Sequence, residues 1–198
     1  MKILHIISSP RGNASYSIKL GNEVIARLIT KYPGSTVKTH DLTDTPFPHL
    51  EESHLTSFMT EPEQRSAAQA EAAKHSDEAI AELMEADIIV IGAPMYNFNI
   101  HSTLKAWLDH ITRAGVTFTY SANGPVGLVK NKKAYLAISS GGIYSNGPMK
   151  SFDFIEPYLT TMLNFIGITD ITTYRVEGVA ITDIQQHALA SAVDKIAV

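Results

Sequence analysis

Apolar positions in this chain fall into short dense runs separated by longer stretches with helical spacing. "KILHII" (2–7) is rich in isoleucine and bounded by "SSPRGN", which predicts a buried strand. From Ser15 to Lys31, Ile18, Val24, Ile25 and Leu28 recur near helical spacing, and "YPG" ends that helix. "STVKTHDL" gives a second, more exposed strand. "TDTPFPHLEESHL" follows with two prolines in three residues, and predicts an extended loop. Glu63 to Met84 is alanine-rich and charged, a long helix. "ADIIVIGA" is apolar throughout, as a strand covered on both faces should be. "HSTLKAWLDHITRA" is a helix with Leu104, Trp107, Leu108 and Ile111 on one face. "KKAYLAISS" is a fourth strand, Phe152 to Phe165 a helix, "DITTYRVEGV" a fifth strand, and a closing helix starts at about Asp183.

Five strands separated by helices imply parallel β-α-β units with right-handed connections. The fold class is therefore α/β: a doubly wound five-stranded parallel sheet with helices on both faces. With five strands the flavodoxin-like order 2-1-3-4-5 is expected, its switch point between the first and third strands. Neither repeats nor a low-complexity linker interrupt the pattern, so residues 1–198 are expected to form a single domain.

In open α/β sheets, ligands bind outside the carboxyl ends of the strands. Three chemically unusual loops leave those ends. "SSPRGNASYS" offers Ser8, Ser9, Asn13, Ser15, Ser17 and Arg11 just before a helix, the composition of an anion site, although Ser15 serves equally well as an N-cap. It carries neither G-x-G-x-x-G nor a Walker A pattern, so a phosphate monoester suits it better than a pyrophosphate. "APMYNFNI" presents Met95, Tyr96 and Phe98 beside Asn97 and Asn99, a bed for a planar aromatic ligand, unless one of the rings is ordinary core. "SSGGIYSNGP" sets Gly141 and Gly142 after Ser139 and Ser140, allowing close backbone approach to a ligand or simply a tight turn. Together the loops describe a site for a phosphorylated planar ring, and FMN fits better than other nucleotides.

Composition narrows the alternatives. With no cysteine, thiol redox chemistry and thiolate metal sites are excluded. A net charge of −4 without a basic block argues against a nucleic-acid partner. No apolar run approaches the roughly 20 residues of a membrane helix, and the N-terminus lacks a signal-peptide pattern, so a cytoplasmic domain is expected. The eight histidines form no H-E-x-x-H pair, which makes a metal site improbable. No G-x-S-x-G follows a strand, which excludes the α/β-hydrolase pattern. His5 reads as a satisfied strand residue and Asp41 as a weak candidate for holding a ribose.

At these loops the sequence resembles the FMN-dependent NADH-azoreductase family, flavodoxin-like NAD(P)H:quinone and azo reductases. "APMYNFNI" is the most specific marker, followed by "RAGVTFTYSANGPVGL", "FIGITDI" and the glycine pair after the fourth strand. The resemblance implies a homodimer with FMN bound near the interface, reduced by NADH or NADPH and reoxidised by quinone or azo acceptors in ping-pong turnover. By position, it implies a phosphate cradle of Ser9, Ser15, Tyr16 and Ser17. The ring would lie on Met95, Tyr96, Asn97 and Phe98, with Ser139, Ser140, Gly141 and Gly142 on its pyrimidine side. Phe118 and Tyr120 fall in the segment that helps line the substrate cavity. Several family members have Arg in place of Ser140 and some have His in place of Tyr144, positions that bear on flavin potential and substrate range. No side chain need act as acid or base, because the cofactor carries the electrons. The rival is a flavodoxin-type electron carrier serving a protein partner. Such carriers are more acidic than this chain, and the loops around Phe47 and Phe118 suit a substrate cavity instead.

Overall fold

A computed structural model describes all residues, Met1–Val198. Strands β1 (Lys2–Ile7), β2 (Thr36–Asp41) and β3 (Ile88–Pro94) pair in parallel with one another, and two later strands extend the sheet. The hairpin of β4 (Phe118–Ser121) and β5 (Gly124–Gly127) stands apart as a second, antiparallel sheet. With β6 (Lys133–Ser139) and β7 (Asp170–Val176) the main sheet reads β2-β1-β3-β6-β7, all parallel. Counted within that sheet alone, the order is the expected 2-1-3-4-5.

Alternate side chains of the central strands feed two cores, as a period of two requires. Leu4, Ile6, Ile89, Ile91, Leu136 and Ile138 pack beneath α3 (Ala67–Glu85), α4 (Ser102–Ile111) and α5 (Ile155–Ile166). Ile3, Ile88, Val90, Tyr135 and Ala137 pack beneath α1 (Tyr16–Lys31) and α6 (Gln185–Val193). Leu104, Trp107, Leu108 and Ile111 are all buried, as the helical spacing of α4 predicts. β2 is an edge strand and largely exposed.

Two expectations are corrected. The proline-rich segment is not extended throughout, for α2 (Glu52–Phe58) starts within it. There His54 Nδ1 accepts the Glu51 N–H at 3.0 Å, a cap that proline density conceals. The long helix begins at Ala67 rather than Glu63. Pro62–Gln64 form a 3-10 turn, and Ser66 and Gln69 then close a reciprocal capping box, with the Ser66 N–H donating to Gln69 Oε1 at 2.9 Å. No helix is long and apolar enough to cross a membrane.

Candidate cofactor and active site

β1 ends at Ile7, and the Ser8 hydroxyl donates to the Gly92 carbonyl at 2.7 Å, tying the first loop to β3. Ser8 is thereby spent on the scaffold. Ser9, Ser15 and Ser17 are buried at the turn into α1. Ser15 is the N-cap, its Oγ accepting the Ile18 N–H at 3.4 Å and lying 3.0 Å from the Ser17 hydroxyl. The backbone N–H groups of Tyr16 and Ser17 have no partner within the chain. Capping and anion binding are thus not alternatives here, since the cap leaves two amides and the positive end of a 16-residue helix facing the loop.

The loop after β3 closes on itself. Tyr96 and Asn99 exchange backbone hydrogen bonds of 2.9 and 3.0 Å around Asn97 (φ 47°) and Phe98 (φ 69°). Positive φ at both central residues is the geometry of a type I′ turn. Asn tolerates it, whereas a bulky Phe held there is strained. The N–H groups of Asn97 and Phe98 have no partner within the chain.

The loop after β6 is strapped to the segment after β7. Ser140 N–H donates to the Val176 carbonyl (3.0 Å), Gly178 N–H to Gly142 (3.0 Å), Val179 N–H to Ser140 (3.3 Å) and Ala180 N–H to Gly141 (3.0 Å). The Ser140 hydroxyl donates to the Gly142 carbonyl at 2.9 Å, bracing the glycine pair from inside. The Gly141 and Gly142 amides are again without partners. A Cβ added at Gly141 would meet only Ala180 Cβ at 3.4 Å, so the chain's own packing does not demand glycine there.

These loops enclose an open groove of about 100 Å³ lined by Ser9, Ser15, Tyr16, Met95, Tyr96, Ser139, Ser140 and Gly141, as expected. Arg11, Pro94 and Val179 line it as well. Val179 had no local signal in the sequence; only the adjacency of β6 and β7 brings it in. The remaining expected residues stand around the groove. Ser17 lies behind Ser15, Asn97 borders a neighbouring cavity of about 620 Å³ with His101 and Lys105, and Gly142 lies under the Tyr144 ring. Phe98 is 40% exposed and contacts Tyr144 and Phe152, so it forms a rim rather than a floor.

Phe118 and Tyr120 are not brought to this groove. Phe118 packs on Phe165 at the end of α5 that leads into β7, at the amino ends of the strands. Tyr120, on the same hairpin, is 70% exposed. Asp41 is used locally, its Oδ1 accepting the N–H and hydroxyl of Thr43 at 2.9 and 2.7 Å. No carboxylate or histidine lines the groove, and no cluster of His, Asp or Glu could hold a metal ion. A third cavity, of about 190 Å³, opens at the amino ends of β1 and β2. Its charges are already paired, Lys2 with Glu85 at 2.6 Å and Lys38 with Glu82 at 3.0 Å.

Buried hydroxyls and free amides at a helix N-terminus on one side, and soft and aromatic surface with free amides on the other, fit a phosphate joined to a flat, hydrogen-bonding ring. Comparison with known proteins agrees. Residues 1–198 match the family described as having the flavodoxin-like fold. An FMN-dependent NADH:quinone oxidoreductase of Herminiimonas arsenicoxydans is 50% identical over 179 residues, 90% of this chain and 88% of that protein. One from Mesorhizobium japonicum is 43% identical over 197 residues, covering 99% and 94%. The structure of an FMN-dependent NADH-azoreductase from Bacillus anthracis in complex with FMN has a TM-score of 0.85 at 28% identity, covering 98% of this chain and 97% of that one. The chain belongs to the flavodoxin-like fold family.

Proposed function

We propose that the groove holds FMN and that the protein is an FMN-dependent oxidoreductase reducing quinones and aromatic azo compounds with NADH. One observation carries the reading: each of the three loops that line the groove carries a pair of unpartnered amides, those of Tyr16 and Ser17, Asn97 and Phe98, and Gly141 and Gly142, with Tyr16 and Gly141 on the groove wall itself. The relatives named above, quinone oxidoreductases and an azoreductase, support the activity. When bound, FMN supplies two-electron transfer between NADH and the acceptor.

The chain's part is to bind and orient. Ser9, Ser15, Tyr16 and Ser17 hold the phosphate through hydroxyls, amides and the α1 dipole. Met95 and Tyr96 offer apolar surface to the ring, while the amides of the Asn97–Phe98 turn and the glycine pair offer donors to its polar edges. Donors fixed in advance favour negative charge on the ring without reorganisation. A flavodoxin-type carrier for a protein partner is the weaker reading, since the relatives are named as reductases of small molecules.

The assembly is a homodimer. The groove is open, Phe98 and Phe154 beside it are 40% and 51% exposed, and Phe118 and Tyr120 lie at the other end of their own chain. A substrate cavity that includes Tyr120 therefore needs the hairpin of a second copy.

Titration of flavin-free protein with FMN and FAD tests the cofactor. FMN should bind and be reduced on anaerobic mixing with NADH. Replacing Ser9 and Ser17 together by Ala should weaken FMN binding by about 1–3 kcal/mol, as loss of charge-assisted hydrogen bonds does. Preference for FAD, or no uptake of either flavin, would refute the assignment.

A further inference from the structure

The edge strand β7 and the residue that follows it carry two charged side chains which the groove does not use. Glu177 Oε1 accepts the backbone N–H groups of Tyr144 (2.7 Å) and Ser145 (2.8 Å), and its Oε2 accepts the Ser145 hydroxyl at 2.5 Å. Arg175 Nη2 donates to Asp153 and to Glu156, each at 2.5 Å, and Nη1 lies 3.8 Å from Glu177. The two side chains are only 11% and 14% exposed, so salt screens them little. Asp153 in turn accepts the N–H groups of Ile155 and Glu156 at 3.1 and 3.4 Å, starting α5. Between Asp153 and Ile155 stands Phe154, whose N–H donates to the Phe98 carbonyl at 3.2 Å.

Both lines of contact end on Phe98. The Tyr144 ring meets it edge-on at 6.2 Å and the Phe152 ring at 5.3 Å. Phe98 is also the residue held at a strained positive φ, a state that persists only where the surroundings over-determine it. Arg175 and Glu177 themselves face a separate cavity of about 370 Å³ with Asp183, His187 and Lys195. The glycine pair is fastened independently, by the backbone bonds to residues 176–180.

We propose that Arg175 and Glu177 are positioning residues for the acceptor's entrance. From outside the groove they fasten residues 144–156 and so fix the aromatic rim of Tyr144, Phe98 and Phe152. The inference rests on the reading of the groove as an FMN-dependent reductase site. It adds that flavin binding and rim placement have separate anchors, so that loosening the clamp affects acceptors more than flavin. A two-ring azo acceptor, reaching further across the rim than a small quinone, is the more sensitive of the two.

Three variants grade the clamp. Ser145→Ala removes only the hydroxyl bond. Glu177→Gln keeps a carbonyl oxygen for the two amides and loses the charge, and Glu177→Ala loses everything. Hydrogen exchange at the Tyr144 and Ser145 amides should quicken in that order, by about tenfold or more for Glu177→Ala, the equivalent of one charge-assisted bond. By the same arithmetic, KM for the azo acceptor should rise about tenfold in Glu177→Ala with little change in kcat, and Glu177→Gln should restore most of it. FMN affinity, read by fluorescence titration, should stay within about threefold of the parent, well under the tenfold worth of one such bond. Faster exchange with unchanged KM for both acceptors would overturn the proposal. So would a parallel loss of FMN affinity, acceptor binding and melting temperature, which marks a merely structural clamp. If Glu177→Ala does not fold, the Gln and Ser145→Ala pair decides by the same readouts. Failure of the parent protein to take up FMN would instead sink the cofactor reading itself.

Discussion

His5 occupies a position on β1 flanked by isoleucine and leucine, and its ring is buried against Gly21 of α1. The sequence suggested a satisfied strand residue, yet Nε2 has no partner. Burial, opposed by the nearby Asp41 carboxylate, lowers its pKa from 6.5 to about 4. The unfolded chain therefore takes up a proton on this ring below pH 6.5, while the folded protein does so only near pH 4. Stability is fully present above that window and falls as pH drops through it, by about 3 kcal/mol for this ring alone. Urea midpoints across the window should show the slope, and His5→Leu should flatten it. Gly21→Ala offers a sharper check. The change gains about 1 kcal/mol in most helices, but here the new Cβ would stand 3.0 Å from His5 Nε2. We expect a loss of stability that turns into a gain in a His5→Ala background. At this scale the sequence was legible for hydroxyls and glycines, whose chemistry is local. It was not legible for Phe98, whose positive φ comes from the exchange between Tyr96 and Asn99 and from the Phe154 N–H, the last of these distant in the chain.

β1 and β3, defined by short dense apolar runs, and α1 and α4, defined by helical spacing, stand where the hydrophobic pattern put them, because the two strands are covered from both sides and the two helices bury one face on the sheet. The β4–β5 hairpin was missed. Its strands are only four residues long, below the reach of periodicity, although "NG" at Asn123–Gly124 is a hairpin signal in its own right. The hairpin is seated by a backbone-to-backbone contact. A Cβ on Gly127 would lie 2.2 Å from the Gly167 nitrogen and 2.3 Å from the Ile166 carbonyl carbon, and Gly167 ends α5 at φ 111°. Gly127→Ala should therefore cost about 3 kcal/mol, the upper range for overpacking, seen as a lowered urea midpoint. Gly124→Ala, with nothing within 4 Å but φ at 108°, should cost only the strain of its turn. Equal losses at the two sites would show that the seat on α5 is not the cause.

For the whole molecule, the alternation of strands and helices predicts the order of the main sheet and the end of it at which the three loops gather, which is why most of the groove's lining could be named before its geometry was known. What topology leaves out is any surface shared between chains. If two copies complete the cavity, light scattering should give a dimer at micromolar concentration, and Tyr120→Ala should change acceptor KM while leaving FMN affinity intact. A fully active monomer would rule that arrangement out. The strap across the glycine pair has a further consequence, in the order of synthesis. Its anchors are residues 176–180, after the last strand of the sheet, so a ribosome that has released only the first 169 residues has exposed the serine loop and the aromatic turn with the third wall unfastened. Such a nascent chain carries four of the five strands of the main sheet and most of the groove's lining, but it must wait for residues 176–180 before the cofactor can lock it shut.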